Sequence, residues 1–430
     1  IQYLVLLISP IPLLVFLIKK KHYLWCLPPF IALFGIYVFN IIGAFDVINN
    51  KTIYSNMYYY TLWIIMFSFY LFYGVIFIFK NKLKVNWNDI KYYGNDKSEY
   101  SFIIFLWSYS IYMFYLYTIR NGLPALFQLN LTEYSDIYAL RGEKSTSLKE
   151  GMHWYRLAFS TLPAFIFIYT YILKLIKPSR KTRAIFYLNL PLVLFFSLLT
   201  LHKTPIAYLL LYLFLINLLL FVKPMNFKKI LIYLGLGSFS IVLALRLYLL
   251  DRDIISVLRF VPEYFWHRVF SVYTEAHAYI LQIFPANHNY FYGRTIGNPG
   301  GIFPYDNVNL SQFLGRWIHG SLMNYASPSF SQGYANFGFA GFVIVLLIMF
   351  YQIILIQVIF KKCPKEPIFL TIYILILSKI LNYSNSAIEN IISEIFIIVM
   401  VCILFFYYFS KIIVNNLFLR KNIFYSRVNN

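Results

Sequence analysis

Residues 336–360 read NFGFAGFVIVLLIMFYQIILIQVIF, and Lys361 and Lys362 follow directly. The run contains no charged residue and its 25 positions exceed the roughly 20 that a helix needs to cross the hydrocarbon core of a bilayer. An apolar run closed by a basic pair is how a span ends on the cytosolic side. Ten further runs resemble it, near 1–18, 23–45, 57–79, 100–119, 154–173, 184–201, 205–222, 230–250, 367–381 and 391–410. The sequence therefore predicts an all-α polytopic membrane protein with about 11 transmembrane helices, forming one integral membrane domain over residues 1–430. Residues 1–18 are expected to be a span and not a secretory leader, because no basic stretch precedes them and Lys19, Lys20 and Lys21 follow.

Composition agrees. Hydrophobic residues make up 60% of the 430, aromatic residues 21% and charged residues 12%, against about 25% charged in a soluble domain. This excludes a soluble globular enzyme, a disordered chain and a disulfide scaffold. Cys26, Cys363 and Cys402 form no spaced motif. The net charge of +21 suggests nucleic acid, but most Lys and Arg lie in short runs between apolar segments and no basic soluble face is available, so no nucleic-acid partner is expected.

The basic residues set the orientation. Lys19–Lys21, the group from Lys80 to Lys97, the group from Lys174 to Arg183, Lys223, Lys228, Lys229, Lys361, Lys362, Lys365, Lys411, Arg420, Lys421 and Arg427 all fall on alternate sides of the spans. These loops are read as cytosolic, with the N-terminus outside and the C-terminus inside. Two larger segments then lie on the outer, periplasmic side: 120–153 as a first functional loop, and 251–335, a long, partly helical loop read as the active-site region. Loops of such length usually carry function.

The long loop has a distinctive charge pattern. Lys outnumbers Arg by 24 to 13 in the chain, yet this loop holds Arg252, Arg259, Arg268, Arg294 and Arg316 and no Lys. Arg binds phosphate or carboxylate with a rigid planar fork, which Lys lacks. The set suits an anionic lipid headgroup such as a lipid-linked diphosphate. The alternative is pairing within the loop, with Asp251, Asp253, Glu263, Glu275 and Asp306. Arg141, in the first loop, adds to the same candidate set.

Candidate acid–base groups are His319, His277 and Glu275, with His288 weaker. Pro262 can start a helix running to about Phe284, which would place Arg268 and Glu275 on one face, His277 near Glu275 at the membrane-facing end, and Phe265, Trp266, Phe270 and Tyr273 as interfacial anchors. His319 precedes Gly320, which allows close approach of a ligand. A His or a carboxylate can deprotonate a sugar hydroxyl. The stretch from Asn287 to Arg294, with Tyr290, suits sugar rings or simply builds a compact loop. No group with metal-ligand spacing is present, and no metal is expected. Predicted charges inside the bilayer are Arg246, Lys379 and Glu394, the last two read as an ion pair.

The loop closes with Pro328-Ser329-Phe330-Ser331-Gln332-Gly333-Tyr334-Ala335-Asn336-Phe337-Gly338-Phe339-Ala340-Gly341. Its Tyr334-to-Gly341 pattern, Tyr-x-Asn-Phe-Gly-x-x-Gly leading into a span, resembles the O-antigen polymerases (Wzy type, oligosaccharide repeat unit polymerases). The topology resembles that family along nearly the whole chain. The resemblance implies two functional external loops, each with an Arg followed some ten residues later by a Gly. Arg141 and Gly151, with nine residues between them, fit closely, whereas Arg316 and Gly333 are further apart. Many members carry an acid just before the Tyr, where this chain has Gln332-Gly333. The resemblance further implies a glycosyltransferase of lipopolysaccharide biosynthesis in the bacterial inner membrane, joining undecaprenyl-diphosphate-linked oligosaccharides at the periplasmic face without a cofactor. Membrane lipids and a chain-length-determining co-polymerase are the implied partners, and Arg141, Arg259, Arg268, Arg294, Arg316, Tyr290 and Tyr334 the substrate-binding residues. Competing readings are an O-antigen ligase, favoured by His288-Asn289-Tyr290, and a flippase or transporter of the lipid-linked unit.

Overall fold

The structure is a computed structural model that describes residues 2–19, 27–49, 55–87, 90, 92, 96–128, 154–199, 203–220, 266–297, 304–320, 325–385 and 400–412. Every regular element among these residues is helical. Seven helices are long and apolar enough to cross a membrane: Leu27–Asn49, Asn56–Ile78, Lys97–Asn121, Leu157–Ile176, Arg180–Leu198, Ser329–Lys362 and Pro367–Ser384. Three shorter apolar helices, Tyr3–Ile18, Pro205–Leu220 and Met400–Ile412, fall on three further expected spans. The expected span at 230–250 lies outside the described residues, as does most of the first loop. Helix satisfies every backbone group within its own segment, which lipid requires. Where helix ends need help, side chains supply it. Ser55 accepts from the Tyr58 amide at 3.2 Å, and Ser179 and Thr182 form a reciprocal capping box.

By internal contacts the chain divides into two compact units, 1–86 with 258–363 and 376–393, and 87–257 with 364–375 and 394–430. In the first unit Phe72 stacks on Phe350 at 4.2 Å and Phe69 meets the same ring edge-on. Two π-helical turns, Tyr37–Ile41 and His267–Ser271, meet here. Gly43 makes this possible, because a Cβ at that position would lie 1.8 Å from the Phe270 carbonyl oxygen.

In the second unit, Phe102 packs edge-on against Phe165, Tyr169 and Tyr407. Helix Asp96–Asn121 begins before the expected span at 100–119 and carries Glu99 inside, 2% exposed. The Tyr169 hydroxyl donates to the Glu99 carboxylate. This buried acid is additional to the charges read from the sequence, because it lies one residue outside the apolar window. Lys411 pairs with Glu366 at 3.3 Å. Of the charges expected within the bilayer, Lys379 is half-buried, whereas Arg246 and Glu394 lie outside the described residues.

The span expected at 336–360 is longer and sharply broken. Helix Ser329–Lys362 has non-helical geometry at Phe337 (φ −138°, ψ 20°) and Gly338 (φ 63°, ψ −147°). Gly333 and Gly341 would lie about 12 Å apart along a continuous helix, yet a Cβ on Gly333 would come within 2.4 Å of the Gly341 carbonyl oxygen. The chain therefore reverses at Phe337–Gly338, and the short helix 329–336 lies back against the start of the span.

Candidate functional site

The helix expected from Pro262 to Phe284 is described from Trp266 and ends at Ile283, capped by Phe284. Pro262, Glu263 and Phe265 lie outside the described residues. The π turn at His267–Ser271 changes which residues share a face. A π turn holds one residue more than an α turn, so two turns back from Glu275 is His267 instead of Arg268. The structure accordingly places His267 Nε2 3.6 Å from Glu275 Oε2. The partner expected at this spacing is Arg268. The Arg268 backbone lies in the π turn, and its side chain is outside the described residues.

Glu275 is the centre of a half-open cluster. The Tyr325 hydroxyl donates to its Oε2 at 2.6 Å. The His319 ring lies 5.6 Å from the Tyr325 ring, and both His267 and His319 are exposed. Burial pushes the Glu275 carboxyl upward, but contact with His267, the Tyr325 hydrogen bond and the field of His267 and His319 outweigh it. The net result is a carboxyl below its ordinary value, ionised at neutral pH. Its Oε1 has no hydrogen-bond partner among the described residues. Sequence reasoning singled out Glu275 and His319 but missed His267 and Tyr325. Only the π turn explains His267, and no local sequence signal marks it.

His277 is placed differently from the expectation. Two residues along an α-helix turn the side chain to the opposite side, and His277 is 1% exposed. The Thr61 hydroxyl is committed to the Tyr58 carbonyl at 2.7 Å, so Thr61 accepts from His277 Nε2–H at 2.8 Å. Nδ1 then accepts from the Ser331 hydroxyl, also at 2.8 Å. Phe330, Tyr58 and Phe342 pack around the ring. Burial pulls its pKa down to about 3. His277 is thus a neutral, doubly bonded tie between three elements. Its side chain faces away from Glu275, into the packed interior. Of the expected aromatic anchors, Trp266 donates to Asp46 at 2.8 Å, a carboxylate that Ser271 also donates to, and Tyr273 packs on Phe39.

The motif Tyr334–Gly341 builds the reversed hairpin. Gly338 occupies a region of backbone space essentially closed to other residues, and a Cβ there would meet the Tyr290 hydroxyl at 2.8 Å. The reversal leaves the carbonyls of Ala335 and Asn336 for the amides of Phe291 and Tyr292, both at 3.0 Å. Asn336 Oδ1 accepts from the amides of Gly293 (2.9 Å) and Thr295 (3.4 Å), on either side of Arg294. Asn336 Nδ2 donates to the Gln332 carbonyl, and Gln332 Nε2 donates to the Thr295 carbonyl. Gln332 is buried and holds this loop. Tyr334 is 6% exposed and packs edge-on against Tyr290. Its ring thus packs within the hairpin corner. Tyr290 is half-buried.

Arg294 and Arg316 are exposed. Arg316 and His319 share the last turn of helix Leu310–His319, which ends at Gly320 with φ 66°. Among the described residues neither Arg294 nor Arg316 forms an ion pair with Glu275 or Asp306, while Asp251, Asp253 and Glu263 lie outside the described residues. Arg141, Arg252 and Arg259 lie outside the described residues. His288 sits among Phe284, Phe291 and Phe313. Among the described residues no three His, Cys, Asp or Glu side chains come together to hold a metal ion. The chain matches no protein-family model, no curated protein and no solved structure.

Proposed function

We propose that this chain is a glycosyltransferase that polymerises lipid-diphosphate-linked O-antigen repeat units at the periplasmic face of the bacterial inner membrane. The observation that supports it most is the ionised Glu275 carboxylate. It is oriented through Oε2 by Tyr325 and His267 and leaves Oε1 to act, in a chain otherwise built of apolar helices. Glu275 takes the proton from a sugar hydroxyl of the incoming unit. The hydroxyl oxygen attacks the anomeric carbon of the growing glycan, the bond to the diphosphate breaks, and undecaprenyl diphosphate leaves. Arg316, beside His319 in the last helical turn, stabilises the charge developing on the leaving group. Arg141, Arg259 and Arg268 belong to the same proposed set. Membrane lipids surround the lipid tails, and a chain-length-determining co-polymerase is the proposed protein partner.

The test is reconstitution of the purified chain with a lipid-diphosphate-linked repeat unit, read as a glycan ladder without nucleotide sugar or ATP. A ladder that disappears in Glu275→Gln supports the reading. A folded wild-type chain that forms none from the cognate unit overturns it, and transfer to lipid A-core or transbilayer movement is then measured.

A further inference from the structure

An open concavity of about 550 Å³ is lined by Arg294, Pro304, Tyr305 and Asp306. This volume falls within the range of roughly 300–1,000 Å³ typical of small-molecule clefts. Its walls are held in place from two directions. The Val308 amide donates to the Arg294 carbonyl at 2.7 Å, and Arg294 Nε donates to the Asp306 carbonyl at 3.4 Å, which closes the neck of the loop. At the root, Asn336 grips the amides on both sides of Arg294. Among the described residues, the Asp306 carboxylate and the two terminal guanidinium nitrogens of Arg294 have no hydrogen-bond or ion-pair partner.

We infer that this concavity binds neutral sugar hydroxyls of the glycan, and that Arg294 belongs to a sugar subsite and not to a diphosphate clamp. A sugar hydroxyl both donates and accepts. A carboxylate acceptor next to a planar donor fork satisfies both roles on adjacent hydroxyls. A diphosphate offers acceptors only, and the Asp306 carboxylate in the same wall repels it. Pro304 and Tyr305 complete the lining. Asn336 is a positioning residue for this subsite. The inference rests on the glycan-transfer reading for its ligand class but uses residues separate from the Glu275 cluster.

The experiment is titration of the full chain in lipid nanodiscs with two probes. One is the lipid-free repeat-unit oligosaccharide cut from the surface polysaccharide of the source organism, and the other is inorganic pyrophosphate. Arg294→Gln and Asp306→Asn are compared with wild type, with thermal unfolding as the check on folding. Oligosaccharide binding weakened at least about tenfold (roughly 1.4 kcal/mol) in both variants, without competition by pyrophosphate, is the expected result. Binding of pyrophosphate that is lost in Arg294→Gln and tightened in Asp306→Asn overturns the inference in favour of an anion site. Oligosaccharide binding that is absent, or unchanged in both variants, also overturns it. The ladder assay separates the two readings. A wild-type ladder with unchanged variant binding leaves transfer standing and removes the subsite. Sensitive binding with no ladder removes transfer and leaves the subsite.

Discussion

Glu275 and His277 stand two residues apart on one helix, and their surroundings are opposite. Among the described residues Glu275 keeps one oxygen uncommitted and a neighbourhood of exposed imidazoles. His277 has both nitrogens bonded and three aromatic rings around it. Both residue types suit acid–base chemistry, so residue type alone does not separate them. The accounting of lone pairs and protons does: a group whose every hydrogen-bonding atom is already engaged has nothing left for a substrate.

Four measurements test this contrast. Glu275→Gln removes the proton acceptor while keeping the Tyr325 contact. Ladder synthesis should fall by about 10²- to 10⁴-fold with unfolding temperature unchanged; residual activity near wild type would place the chemistry elsewhere. Acid acts on the other face. His277 stays neutral in the folded state down to about pH 3, whereas the unfolded chain takes up a proton near the ordinary value of 6.5. Its folded pKa is depressed, so the first unit loses stability as pH falls from about 6.5 toward 3. Each pH unit costs up to roughly 1.4 kcal/mol. A chain with His277→Gln should lose that pH dependence, and retention of it would assign the effect to other groups.

Ser331→Ala leaves the His277 Nδ1 lone pair buried and unmatched, at a cost of about 1–3 kcal/mol. It should lower the unfolding temperature while leaving KM alone; a change in KM without a stability loss would mean that the sealed side touches substrate. The smallest effect is expected from Tyr325→Phe. Losing this hydrogen bond removes one of the influences that hold the Glu275 carboxyl down. The acid limb of the pH–rate profile should then move to higher pH, and an unmoved limb would show that Tyr325 does not tune the base.

The helical, membrane-spanning character was legible because 336–360 and its counterparts are long and nearly free of charge, and lipid leaves such segments little alternative to helix. Glu275 was legible as an acid among loop aromatics, and His319 as a histidine before a glycine. The pairing of Glu275 with His267 was not, because a π turn depends on tertiary packing, here at Gly43 against Phe270, and leaves no periodicity in the apolar pattern. Burial of His277 was hidden for a related reason. Its partners Thr61 and Ser331 are 216 and 54 residues away, and their hydroxyls look like ordinary polar positions. Glu99 escaped because a window of hydropathy stops at the first charge, whereas the helix does not.

The reversal at Phe337–Gly338 has a consequence for how the chain is made. Residues 329–336 carry Ser, Gln and Asn side chains that bare lipid would not tolerate, yet all eight positions are buried. Their partners at 291–295 leave the ribosome first. The polar helix therefore has its waiting loop already synthesised when it emerges, and the apolar stretch behind it can enter the membrane without carrying that polarity along. Assembly of this corner is thus set by the direction of translation.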